Sequence, residues 1–143
     1  MRVLLAIICI SICFVSCNEE NTTQPVADPY DRWKSFNIHN YTIDQTVHCF
    51  CEKSGQTVQL TIISDTIASA IRISDSVNLP YSIYSEYQSI ESLFAQIKNS
   101  KDSKDSLVVQ YNEKYGFPEI LDINPHLHPI DGGVLYETVN LHF

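Results

Sequence analysis

Two cysteines and two histidines carry the spacings that bear on chemistry. Cys49 and Cys51 are separated by Phe50, and His126 and His128 by Leu127. On a regular strand, residues two apart point the same way and lie about 6.5 Å from each other. A disulfide wants Cβ atoms about 3.8 Å apart, so bonding the cysteines requires the strand to break or bulge at Phe50. Three states stay open for this pair: a disulfide, buried free thiols, or a metal or redox role. A catalytic redox pair usually has Cys-x-x-Cys spacing at a helix N-terminus, where the dipole lowers the thiol pKa. This pair has neither feature. The histidines could share a metal, but zinc needs a third and usually a fourth ligand. Asp131, His142 or the cysteines supply one only if the fold gathers them. Two solvated loop histidines beside Pro129 are the commoner arrangement. The expectation is therefore no metal site, with His126 and His128 as the residues to check.

Other chemistry has less to build on. No serine sits in a Gly-x-Ser-x-Gly elbow. Four glycines leave no phosphate-cradling loop, and Asp131-Gly132-Gly133 reads as turn chemistry. No acid, base and nucleophile group themselves into a site. No enzyme, no catalytic residue and no cofactor are expected. Asp65-Thr66-Ile67, Asp75-Ser76-Val77 and Asp105-Ser106-Leu107 resemble an Asp-Ser/Thr-apolar acceptor pattern for O-glycans.

A further cysteine, Cys17, bears on location. Arg2 is followed by Val3 to Val15, apolar apart from Ser11, and then by Ser16-Cys17. After Cys17 the chain turns polar at once, from Asn18 to Gln24. A basic start, a short apolar run and a small residue before the cut make a secretory signal peptide over residues 1–16. A membrane span needs about 20 apolar residues, more than this run offers. Cysteine at the cut resembles the lipobox of bacterial lipoproteins, with Phe14 in place of the usual leucine. The mature chain is thus expected to begin at an acylated Cys17. Residues 17–27 then form a polar tether without periodicity. Glu19 and Glu20 resemble the export tag of surface lipoproteins. The expected place is the outer membrane or cell surface, reached through the lipid anchor.

Composition narrows the partners. About 115 residues remain beyond leader and tether, enough for one domain with a modest core. Losing Arg2 with the leader takes the net charge from −8 to −9. So acidic a surface repels nucleic acid, which is excluded as a partner. It also opposes recruitment by anionic headgroups, leaving the lipid as the membrane contact. Cys9 and Cys13 leave with the leader, and acylation of Cys17 leaves Cys49 and Cys51 as the remaining thiols, in an oxidising compartment.

The elements that position these residues follow from periodicity. Asp28 and Pro29 open a helix to Phe36 as cap and first residue, with Trp33 as a core anchor. Residues 40–51 alternate. Tyr41, Ile43, Val47, Cys49 and Cys51 share a face that Gln45 interrupts. Strands follow around Val58–Ile62 and over Ile67–Ile73, giving an antiparallel meander. Residues 74–88, with Pro80 and three tyrosines, read as an irregular crossing. Ser89 caps a helix over Ile90–Asn99 with apolar residues at Ile90, Leu93, Phe94 and Ile97. The charged run 99–106 reads as a solvated loop. Strands are expected at Leu107–Tyr111, Glu119–Asn124 and Val134–Phe143, with a loop over Pro125–Gly133. The whole, 28–143, is expected to be a single α+β domain. An antiparallel sheet of about six strands carries one packed amphipathic helix and a short N-terminal helix.

Several of these pieces together resemble a known family. They are Cys49-Phe50-Cys51 before a valine-rich hairpin, Ser89-Ile90-Glu91-Ser92-Leu93-Phe94 opening a helix, Tyr111-Asn112, Gly116-Phe117-Pro118, and Asp131-Gly132-Gly133-Val134. The pattern is similar to the DUF6174 family of small secreted bacterial proteins, often lipoproteins, over nearly all of 28–143. The resemblance implies a small α+β domain and brings no activity. Asn112 departs from the family's Tyr-Asp pattern, so an acidic role is not carried over to it. The functional expectation is a membrane-tethered envelope lipoprotein. Its module is binding or structural rather than catalytic, and its partner is an envelope protein, peptide or glycan. The alternative is a metal-binding or redox-related envelope protein using Cys49/Cys51 and His126/His128.

Overall fold

Pro29–Ser35 forms the first helix, α1, started as its sequence dictates: the Asp28 carboxylate accepts from the Tyr30 amide at 2.9 Å. This computed structural model describes residues 28–51, 54–130 and 132–143. The leader, Cys17, the tether and Asp131 lie outside the described residues, as do the side chains of residues 128–130.

Seven strands follow: β1 Tyr41–His48, β2 Thr57–Ile63, β3 Thr66–Arg72, β4 Val77–Asn78, β5 Leu107–Tyr111, β6 Pro118–Ile123 and β7 Val134–His142. Two further helices, α2 Tyr81–Tyr84 and α3 Ile90–Ser103, lie between β4 and β5. The strands form one sheet in the order β4-β3-β2-β1-β7-β6-β5, with every neighbouring pair antiparallel. Two meanders, β1 to β4 and β5 to β7, therefore meet where β7 pairs with β1. The β2–β3 link is a tight turn. Ser64 and Asp65 both hold positive φ, as two-residue hairpin turns require.

The alternation of β1 sets the core. Tyr41, Ile43 and Val47 are buried with Val58, Leu60 and Ile62 of β2 and Leu121 of β6. Gln45 is buried among them. The opposite face of β1 holds Asp44, also buried, whose carboxylate accepts from Gln59 at 3.4 Å and Asn140 at 2.8 Å. Helix α3 closes the core over β5 and β6 with Ile90, Leu93 and Ile97. From α1, Trp33 packs edge-to-face on Tyr41 and Phe117.

The fold class is the expected one, α+β on an antiparallel sheet, and several boundaries move. The crossing at 74–88 contains β4 and α2. Helix α3 continues through the charged run to Ser103, because Lys104 takes the left-handed C-cap conformation usually left to glycine. The loop at 125–133 contains a 3-10 helix over Pro125–Ile130. β1 stops at His48, so Cys49 and Cys51 lie beyond the strand.

Candidate functional site

The end of β1 shows how the cysteine spacing is accommodated. The chain bends at Cys49 and Phe50 as soon as the ladder with β7 ends. A Cys51 amide to Cys49 carbonyl hydrogen bond of 2.9 Å tightens the bend. The Cα atoms come to 5.3 Å and the sulfurs to disulfide distance, inside the range a disulfide tolerates. Cys49 packs on the core while Phe50 projects outward, 75% exposed. Beside the corner, His48 Nε2 lies 3.1 Å from Glu137 of β7.

Among the described residues the other predicted ligands are not gathered there, and the His128 side chain and Asp131 lie outside those residues. His126 is exposed on the 3-10 helix, which leads into the end of β7 that lies beside the cysteine corner. His142 lies at the opposite end of β7, paired with Thr42. Leu135, near the corner, pairs with His48, so seven residues, about 23 Å of strand, separate the two ends. Among the described residues no three His, Cys, Asp or Glu side chains cluster as metal ligands would. Asn112 has a turn role. Its side-chain oxygen accepts from the Lys114 and Tyr115 amides at 3.1 and 2.8 Å, and its amide donates to Glu119 at 2.7 Å. Thr66, Ser76 and Ser106, the hydroxyls of the glycan-acceptor patterns, are all exposed, each close before or at the start of a strand.

A concavity lies elsewhere among the described residues. A groove of about 540 Å³ runs between the start of α1, the outer flank of α3 and the end of β5. Its apolar wall is Tyr30, Phe94, Ile97 and Tyr111, and Lys98 and Lys101 stand on its rim. Tyr30 meets Phe94 edge-on at 4.9 Å, and Phe94 stacks on Tyr111 at 6.2 Å. Glu91, at one end, is committed inward: it accepts from Trp33 Nε1 at 2.7 Å and from the Tyr41 hydroxyl at 3.4 Å. A smaller hollow of about 250 Å³ lies by Asp65, Tyr81 and Tyr84.

The sequence reading missed the groove because its walls come from three separated segments. A trace existed in α3. Phe94, Lys98 and Lys101 follow helical spacing beside the buried stripe, but a lysine stripe reads as a solvated face. The shifted pKa values do not mark an active site. Burial pushes Tyr41, Tyr87, Tyr111 and Tyr136 upward, with Asp28 adding to the shift of Tyr111. Such phenols stay neutral near neutral pH and are poor bases there.

An open, fully antiparallel sheet packed by helices, with a cysteine corner and a lateral groove, defines a small α+β domain. The chain belongs to DUF6174, a family of unknown function, whose profile matches residues 26–143. No curated protein and no solved structure matches it.

Proposed function

We propose that this is a lipid-anchored envelope protein whose folded part is a non-catalytic binding module. The observation that carries the reading is the abrupt change at Cys17, from an apolar run to a polar stretch that leads into the domain at Asp28. Acyl chains contribute about 0.8 kcal/mol per buried methylene, so a multiply acylated Cys17 holds the domain at a membrane surface. The tether lets it sample partners there. The aromatic groove between α1, α3 and β5 is the place that best fits a protein, peptide or glycan partner. The test is intact mass of the protein from the membrane fraction. A lipid-modified N-terminal Cys17 is expected, and Cys17→Ser is expected to move the protein to the soluble fraction. A membrane-free protein cleaved elsewhere, or one retaining Met1, contradicts the reading.

One observation favours a second reading, a redox role or, once the pair is reduced to thiolates, a metal role: the two cysteines are paired at a half-exposed corner at the end of the sheet to which the His126 helix leads. Metal analysis of protein purified without chelator separates the two. Stoichiometric zinc or copper, lost on Cys49→Ser/Cys51→Ser, decides for the second.

A further inference from the structure

The outer edge of β5 and the groove beside it lie together in a way that defines a ligand. The Asn124 amide donates to the Ser106 carbonyl at 2.7 Å, and the Asn112 amide donates to the Phe117 carbonyl at 2.8 Å. Both flanks of β5 thus turn their even-numbered positions toward β6. The register passes from Gln110 opposite Ile120 to Tyr111 opposite Pro118, so the extra residue lies in β6 and β5 stays regular. Alternation then turns the amides and carbonyls of Leu107, Val109 and Tyr111 outward. Among the described residues no strand lies beyond them. Proteins commonly blunt such an edge with lysine or proline; Leu107-Val108-Val109-Gln110-Tyr111 contains neither.

We propose that this edge takes up an extended peptide segment of a partner as an eighth strand. The segment carries one apolar side chain and then carboxylates at every second position. Residues directly opposite across a ladder share a face. Leu107, Val109 and Tyr111 are half-buried against the core, so the side chains opposite them enter on the helix side, along the groove. Helix α3 returns directly into β5 and runs antiparallel to it. Phe94 therefore lies over Tyr111, and Lys101 lies toward Leu107. An apolar side chain opposite Tyr111 meets Phe94 and Tyr30. Carboxylates opposite Val109 and Leu107 meet Lys98 and Lys101. In a chain of net charge −8, these two lysines have no ion pair among the described residues. A second copy fits less well, since its β5 offers no carboxylate and its net charge repels.

This inference deepens the binding-module reading and rests on it. The test is an NMR titration of full-length protein with a capped heptapeptide: threonine at odd positions, then phenylalanine, glutamate and glutamate at positions two, four and six. Saturable shifts centred on the Leu107, Val109 and Tyr111 amides are expected. Affinity should fall about tenfold when lysines replace the glutamates of the peptide, and likewise in Lys98→Glu/Lys101→Glu. Val109→Pro removes an outward amide, a position where proline is tolerated. It should stay folded, melting somewhat lower because Val109 packs on the core, and lose the shifts. No saturable shift, shifts centred elsewhere, or indifference to both charge reversals overturns the proposal. A dimer in sedimentation that Val109→Pro dissociates also overturns it, by giving the edge to a second copy. The two readings fail separately. Soluble Cys17→Ser protein that binds the peptide supports the edge whatever the anchor does, and anchored protein that ignores the peptide overturns the edge alone.

Discussion

Gln45 interrupts the apolar face of β1, and its partner explains why the fold keeps it. Its amide donates to the Gln88 carbonyl at 3.0 Å and to Thr138 Oγ1 at 3.3 Å, and its oxygen accepts from the Gln88 amide at 2.9 Å. The side chain thus pairs the backbone of the segment entering α3 with the middle of the sheet. Gln45→Ala orphans both Gln88 groups, and a loss of about 2–4 kcal/mol is expected in denaturant unfolding. Alternation flagged Gln45 as odd, but its partner is 43 positions away and no local pattern reaches it. The buried phenols give a pH dependence. Their folded pKa values lie above the unfolded value of about 10, so their contribution is complete below about pH 10 and is lost as pH rises further. The melting temperature should fall steadily above that point. Tyr41→Phe should start lower, because the buried Ile90 amide loses its 2.9 Å acceptor, and should then fall less steeply. At the cysteine corner the ring closed by a disulfide is very short, so the entropy removed from the unfolded chain is small. Cys49→Ser/Cys51→Ser should fold and melt only a few degrees lower.

At the scale of elements, α3 presents two different faces. Leu93 is fully buried and Phe94 only partly, on the groove wall. Leu93→Asp places an unpaired charge in the core and should cost several kcal/mol, enough to threaten a domain of ordinary stability. Phe94→Asp should cost distinctly less, since its carboxylate reaches solvent through the groove. Calorimetry of the pair checks the helix orientation, and equal losses would contradict it. Gly116, in the β5–β6 turn, holds φ +84°, and a Cβ there would run into the Pro29 carbonyl. Gly116→Ala is expected to lose about 2 kcal/mol or more, through strain and separation of the turn from α1. The longer elements were legible because they obey one period: β1 falls within the stretch where residues alternate, and α3 starts at the Ser89 cap. The end of α3 was not, because Lys104 adopts a conformation its residue type does not advertise. β4 and α2 were not either, being too short to show a period.

Across the whole molecule, the sequence reading recovered the class and the first meander but not the strand order. Periodicity says which face of a strand is buried and nothing about its neighbours. The groove depends on that order, since it exists only because the second meander docks on the first and sends β5 to the far edge. The join is β7, paired on one side with β1 and on the other with β6. It follows that the sheet cannot close until β7 has been made: before then, two half-sheets wait for the strand that unites them. For a chain exported as proposed above, a polypeptide still lacking a placed β7 holds two separable half-sheets and stays threadable through a translocation channel.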